Sequence, residues 1–205
     1  RRVMSLGRRH REVLLAGLTL IAERGYAGAS LRELARRLGM QQPSLYHYFA
    51  SKEELVHQVI EHFGVGADGV TPDLAMLPDD VLDLPLALAA YVRMLYAHTT
   101  WPLFVRFMFA VASDERSFGP KLREMFVDRS RSLAEGALRK YVDAGQISEE
   151  DAHFLVRLML SAIALPLIEE HLLFPADEGH TDFERYAQYT VDVVRAGLEA
   201  RRKRP

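Results

Sequence analysis

Apolar residues recur at three- and four-residue spacing along nearly all of the 205-residue chain, and no stretch of useful length alternates apolar with polar. A chain patterned this way buries stripes on helices rather than faces of sheets, so an all-α fold is expected. Arg9 to Arg24 carries Val13, Leu14, Leu18, Ile21 and Ala22 on one face, with Gly25 as a stop. Two capping boxes follow, Ser30-Leu31-Arg32-Glu33 and Ser51-Lys52-Glu53-Glu54. In each, the serine hydroxyl should take the amide three residues on while the glutamate reaches back to the cap amide. They open helices predicted over 31–38 and to about Phe63. Between them Gly39 supplies a sharp break, and Pro43 suits the first turn of a helix running to about Phe49.

From Gly64 to Pro85 the composition turns to Gly-Val-Gly-Ala-Asp-Gly and then Pro72, Pro78 and Pro85, which favours turns. A domain boundary is placed there, dividing the chain into 1–63 and 64–205. Further helices are predicted near 84–99, 102–114, 119–144, 149–174 and 182–202, about nine in all. The last two open on Ser148-x-x-Asp151 and Thr181-x-x-Glu184. The longest nearly unbroken apolar run, Leu158 to Ile168, contains Ser161 and Pro166 and falls short of the roughly 18 residues of a membrane span. With no cysteine there is no disulfide framework, thiolate metal site or cysteine nucleophile. Together with the lack of an apolar segment near the start, this makes a cytoplasmic protein without a membrane anchor the expectation.

Charge is divided unevenly. Up to residue 63 there are ten Lys and Arg against six Asp and Glu, a net +4, which leaves −6 for the remainder of a chain whose total is −2. A basic third on an acidic body points to a polyanionic partner for that third alone. The two short helices around Gly39 have the anatomy of a helix-turn-helix, with Ala35 small at the crossing and Leu38 and Leu45 apolar where the second helix is pinned. Placing Leu45 and Phe49 inward turns Pro43, Ser44 and His47 outward, with Tyr46 and Tyr48 on the flanks. Such side chains suit base edges and phosphates.

At this point residues 8–63 resemble the DNA-binding domain of the TetR/AcrR family of transcriptional regulators. The likeness lies in Ala22-Glu23-Arg24-Gly25-Tyr26, Ser30-Leu31-Arg32-Glu33-Leu34-Ala35, Leu38-Gly39, Ser44-Leu45-Tyr46-His47-Tyr48-Phe49 and Ser51-Lys52-Glu53-Glu54-Leu55. The resemblance implies that Gln42, Pro43, Ser44, Tyr46, His47 and Tyr48 lie on the recognition helix, that Ser30 and Arg32 on helix two reach the duplex, and that Lys52 grips a phosphate. It also implies a C-terminal helical domain for ligand binding and dimerisation, and a repressor released from a palindromic operator by a small molecule.

Beyond the boundary, Tyr91, Met94, Leu95, Trp101, Phe104, Phe107, Met108, Phe109, Met125 and Phe126 form a dense apolar set, interrupted chiefly by Arg93, His98, Arg106 and Arg129. Most of it is core; as a group it suits a mostly apolar pocket with a few orienting contacts. Tyr91, Met94, His98, Trp101, Phe104, Met108, Met125, Phe126 and Arg129 are the candidate ligand contacts, and the ligand is expected to be bulky and largely hydrophobic. The helix near residue 160 is apolar almost all round, and the last helix carries a stripe from Phe183 to Leu198. Leu158, Ala162, Leu165, Tyr186, Thr190, Val191, Val194 and Leu198 are therefore assigned to a homodimer interface.

An enzyme is the first rival. Glu54-x-x-His57 and Glu150-x-x-His153 match the carboxylate-histidine spacing of di-iron bundles, but both glutamates have helix-capping or first-turn roles and the two pairs lie on opposite sides of the boundary. No Gly-rich phosphate loop, nucleophile elbow or HExxH is present, and no cofactor or metal is expected. The second rival is a helical ligand-binding or partner-binding protein without DNA binding.

Overall fold

The computed structural model describes residues 7–64, 76–97, 100–112, 115–169 and 183–202. Among them are ten α-helices and no strand: α1 (Arg8–Gly28), α2 (Leu31–Arg37), α3 (Gln42–Leu45), α4 (Lys52–Phe63), α5 (Leu84–Ala97), α6 (Thr100–Ala112), α7 (Glu115–Arg123), α8 (Ser130–Asp143), α9 (Glu149–Ile168) and α10 (Phe183–Arg202). None of the described helices is long and apolar enough to cross a membrane. The extra helix comes from the stretch expected as one rod over 119–144. A π-helical turn, Glu124–Arg129, interrupts it and separates α7 from α8. Apolar periodicity cannot register one wide turn inside an otherwise helical run.

The chain divides into two compact units, and they are not sequential. The first holds residues 1–71 and 99–130, the second 72–98 and 131–205. In the first unit α6 packs along α1, and α4 packs against α1, α6 and α7. Val13, Leu14, Leu18 and Ile21 of α1, Val56, Val59 and Ile60 of α4, and Phe104, Phe107 and Val111 of α6 are all buried. Gly17 lets α1 and α4 approach, since a Cβ there would lie 2.8 Å from Cδ1 of Leu55. Gly25 does not end α1. It kinks it at φ 72°, ψ 164°, a conformation reserved for glycine, and the helix resumes to Gly28.

The second unit is built on Val81, Leu84, Leu138, Tyr141, Ala152, Leu155, Val194 and Leu198. Its opening segment lies in the Pro-rich stretch and is stapled to the end of α8. Lys140 donates to the Leu77 carbonyl (2.8 Å), Tyr141 Oη to Pro78 (2.6 Å) and Gln146 Nε2 to Asp79 (2.8 Å). Ser148 caps α9 through the Asp151 amide at 3.0 Å, as its box predicts. Thr181, the cap expected for the last helix, lies outside the described residues.

Candidate nucleic-acid interface and effector-facing residues

Ser30 opens α2 by accepting the Glu33 amide at 3.2 Å, and Ser51 opens α4 by accepting the Glu54 amide at 3.1 Å. The return half of each predicted box is absent among the described residues, the two carboxylates being turned to other partners. Glu33 takes Arg36 at 3.0 Å and Arg37 at 3.2 Å, and Glu54 takes the Gln58 amide at 2.9 Å. At the other end of α2, Gly39 at φ 63° closes a Schellman turn, its amide on Arg36 (3.2 Å) and that of Met40 on Ala35 (3.0 Å). The break read from sequence is thus a cap that satisfies two carbonyls.

The recognition element is shorter than predicted. Regular helix ends at Leu45, and the amides of Tyr46, His47 and Tyr48 reach only three residues back, to Pro43, Ser44 and Leu45. Leu45 and Phe49 are buried as expected, and Pro43, Tyr46 and His47 are exposed, Tyr46 by 52%. Arg32 is exposed, while Gln42 and Ser44 are half-buried. Arg32, Gln42, Ser44, Tyr46 and His47 make no side-chain hydrogen bond or ion pair among the described residues. The neighbouring arginines are already occupied. Arg9 pairs with Glu12 at 3.0 Å, and Arg37 joins α2 to α1 through Glu23 at 2.8 Å. Arg1 and Arg2, which add to the basic charge of the N-terminal third, lie outside the described residues.

Besides Ser30, which caps α2, two of the sequence candidates are engaged within the fold. Tyr48 is half-buried with its ring edge-on to His10, centroids 5.4 Å apart. Lys52 donates to the Tyr26 carbonyl and sits over the Tyr26 ring at 4.2 Å; burial pushes its ammonium below the usual 10.5. Tyr26 in turn meets Phe118 of α7 edge-on at 4.7 Å, and Phe118 meets His57 at 5.9 Å. This aromatic run past the Gly25 kink was not read from sequence, because its members are far apart in the chain.

At its other end α4 is held by charge. Glu61 accepts Arg129 at 2.7 Å and also pairs with Lys121, and both cations pair with Glu124. Burial pushes the Glu61 carboxyl up, but the bonds from Arg129 and Lys121 outweigh it and leave the pKa below the ordinary 4.5. Arg129 was expected to orient a ligand; its guanidinium instead ties the π turn to α4, with Glu61 and Glu124 as its partners.

The other ligand candidates fall in both units. In the first, Trp101, Phe104 and Met108 are buried on α6, and Trp101 and Phe104 stack with centroids 5.7 Å apart. The Trp101 indole N–H is buried without a hydrogen-bond partner among the described residues. Buried donors are nearly always satisfied, so this one asks for an acceptor. In the second unit, burial pushes the Tyr91 phenol up to about 12, while Met94 is 51% exposed. His98 lies outside the described residues, as do the side chains of Met125 and Phe126.

The dimer assignment needs one correction. Val191, Val194 and Leu198 are buried in their own chain, the last two inside the core of the second unit, so the stripe of α10 faces inward. Exposed apolar side chains lie on the other face, at Tyr189 and Val193, with Phe154 and Leu158 exposed on α9. Ala162, Tyr186 and Thr190 are half-buried, and the Leu165 side chain is not among those described. The closing arginines are also used internally: Arg201 pairs with Asp151, and Arg202 with Asp80 at 3.1 Å.

Residues 13–59 match the family described as bacterial regulatory proteins, tetR family. Over 55 residues the chain is 38% identical to the HTH-type transcriptional repressor KstR2 of Mycolicibacterium smegmatis, a stretch that makes up 27% of each chain. The likeness therefore spans about a quarter of that relative's length. In fold, a regulator from Mesorhizobium loti assigned to the TetR family superposes with a TM-score of 0.65 at 20% identity, covering 93% of this chain and 96% of that one. AibR, solved with isovaleryl coenzyme A and operator DNA, superposes with a TM-score of 0.61 at 22% identity, covering 91% and 97%.

Proposed function

We propose that this chain, a DNA-binding transcriptional regulator of the TetR family, is a repressor that occupies a pseudo-palindromic operator as a homodimer and leaves it when a small, largely hydrophobic ligand binds. One observation carries the reading. The helix-turn-helix is rigidly capped at Ser30 and Gly39, yet Arg32, Gln42, Ser44, Tyr46 and His47 hold their donors and acceptors unspent. In a monomer these groups only meet water; against a duplex, Gln42, Ser44 and His47 read base edges while Arg32 and Tyr46 meet phosphates. Lys52, with one N–H committed to Tyr26, offers the others to a phosphate. DNA binding is assigned to residues 1–63, and effector binding and dimerisation to 64–205.

The effector reading is supported by Trp101, whose N–H asks for an acceptor beside the aromatic rings of Phe104 and Phe107. An apolar ligand carrying a carbonyl answers both features, and an acyl thioester such as the one bound by AibR is a fitting first probe. The ligand acts by binding the operator-free conformation more tightly than the operator-bound one, and operator must weaken ligand binding by the same factor. Selection of bound duplexes from random DNA, with and without isovaleryl coenzyme A, tests the whole reading. Enrichment of an inverted repeat is expected. His47→Ala should then relax preference at one position of each half-site by ~1–3 kcal/mol. A wild type that binds selected and scrambled duplexes alike would remove the DNA-reading function.

A further inference from the structure

We propose that Gln58 of α4 is the positioning residue that sets the roll of the recognition segment, and with it base discrimination; the assignment rests on the DNA-binding reading above. The recognition segment is short and poorly anchored by its own backbone. Past Leu45 the amides of Tyr46, His47 and Tyr48 bond three residues back and that of buried Phe49 returns to the Leu45 carbonyl at 3.3 Å, while among the described residues the Tyr48 carbonyl accepts no backbone amide. Gln58 Nε2 meets it instead, donating to Tyr48 O at 3.1 Å and to Glu54 Oε1 at 2.9 Å.

With the amide nitrogen committed to two acceptors, the amide oxygen is turned toward α1, where His10 Nε2 lies 2.8 Å away and must carry the hydrogen. A single half-buried side chain thus joins α1, α4 and the end of the recognition segment. His10 also sets its ring against Tyr48, and Arg9, one residue earlier, donates to the Leu38 carbonyl at 3.2 Å. Both helices of the helix-turn-helix therefore have a terminal carbonyl held by a side chain from outside the motif.

The bond lies immediately beside the reading groups. His47 and Tyr46 are one and two residues from Tyr48, so releasing its carbonyl lets the segment roll and re-aims both side chains. Hydrogen bonds weaken steeply with distance and angle, and a displacement of about 1 Å removes a base contact. Contacts to phosphate tolerate more, because they are electrostatic and fix register rather than sequence. Loss of Gln58 should therefore cost discrimination and spare non-specific affinity.

The experiment uses the full chain and duplexes first selected by the wild type. Gln58→Leu removes both ends of the link at similar size. Gln58→Glu keeps an acceptor for His10 and loses the donor to Tyr48. For both, the ratio of affinities for selected over scrambled duplex should fall about tenfold, with scrambled affinity changing far less in Gln58→Leu and the thermal midpoint of both staying near the wild type. A ratio within about twofold of the wild type in a folded variant overturns the assignment, as does a loss shared equally by both duplexes in Gln58→Leu. Should Gln58→Leu not fold, the ratio measured with Gln58→Glu decides alone. A wild type without sequence preference sinks the DNA-reading function itself, which separates that failure from this one.

Discussion

The buried indole of Trp101 is the chain's only tryptophan, and its orphaned N–H costs the free protein stability that a bound acceptor would return. Trp101→Phe removes the donor and keeps an aromatic ring, so the unsatisfied group disappears while some packing volume is lost. The two effects oppose each other, and the thermal midpoint should move little. Ligand affinity should fall about fivefold to tenfold, the worth of one neutral hydrogen bond in a dry site. Calorimetric titration with the effector, alongside a thermal melt, checks both halves; a large drop in the midpoint with unchanged affinity would make Trp101 a packing residue only. Single residues divide sharply in how far the sequence exposes them. Leu45, Phe49, Ser30 and Gly39 were legible because each obeys a local rule of period, cap or backbone angle. Lys52 and Arg129 were not. Their partners, Tyr26 and Glu61, lie 26 and 68 residues away, and no local pattern announces a pairing of that kind.

Among the described elements, α4 is tied to its surroundings along its whole length. Its first turn meets Tyr26, its middle holds the recognition segment through Gln58, and its last turn is gripped by Lys121 and Arg129. The grip on Glu61 titrates. A carboxyl whose folded pKa lies below its unfolded value adds stability above the unfolded pKa and loses it as pH falls through the folded one. Glu61→Gln should therefore be less stable than the wild type at about pH 7, and the gap should close well below the ordinary 4.5, when both states are protonated. Thermal melts of the two proteins across that range measure it; a gap that persists at about pH 2 would mean the loss is one of packing. The crossing of α4 with α1 is equally testable. Gly17→Val should cost ~1–3 kcal/mol by overpacking against Leu55, outweighing the up to ~1 kcal/mol by which glycine weakens a helix. Leu55→Ala should recover part of that loss in the double variant, as chemical denaturation of the four proteins would reveal. Helix existence was readable from period and caps, whereas the π turn that splits the stretch near residue 125 and the kink that extends α1 were not, since both change backbone geometry without changing the apolar pattern.

For the whole molecule, the question is which surface a second copy covers. Sequence periodicity identifies the apolar stripe on α10 but not what it faces, and the stripe through Val194 and Leu198 belongs to the core of the second unit. What remains uncovered is the opposite side of the same helix, with Tyr189 70% and Val193 53% exposed, and on α9 Phe154 58% and Leu158 54%. Four large apolar side chains spaced by single helical turns on two neighbouring helices are an expensive surface to leave in water. A two-fold axis lets one copy cover them with the same four residues, making a four-helix contact without any further partner. The two faces of α10 then give opposite outcomes for the same substitution. Val193→Glu with Leu158→Glu should place unpaired charges in the interface and yield a folded monomer, with helical content and thermal midpoint close to those of the wild type. Val194→Glu buries its charge inside the second unit and should unfold that unit by several kcal/mol. Light scattering with circular dichroism separates these results. The monomeric variant should also lose affinity for a full inverted repeat while keeping weak binding to a half-site, because one chain can then engage only one reading segment. A double variant that remains dimeric would place the interface elsewhere and leave the exposed face of α9 and α10 without its assigned role.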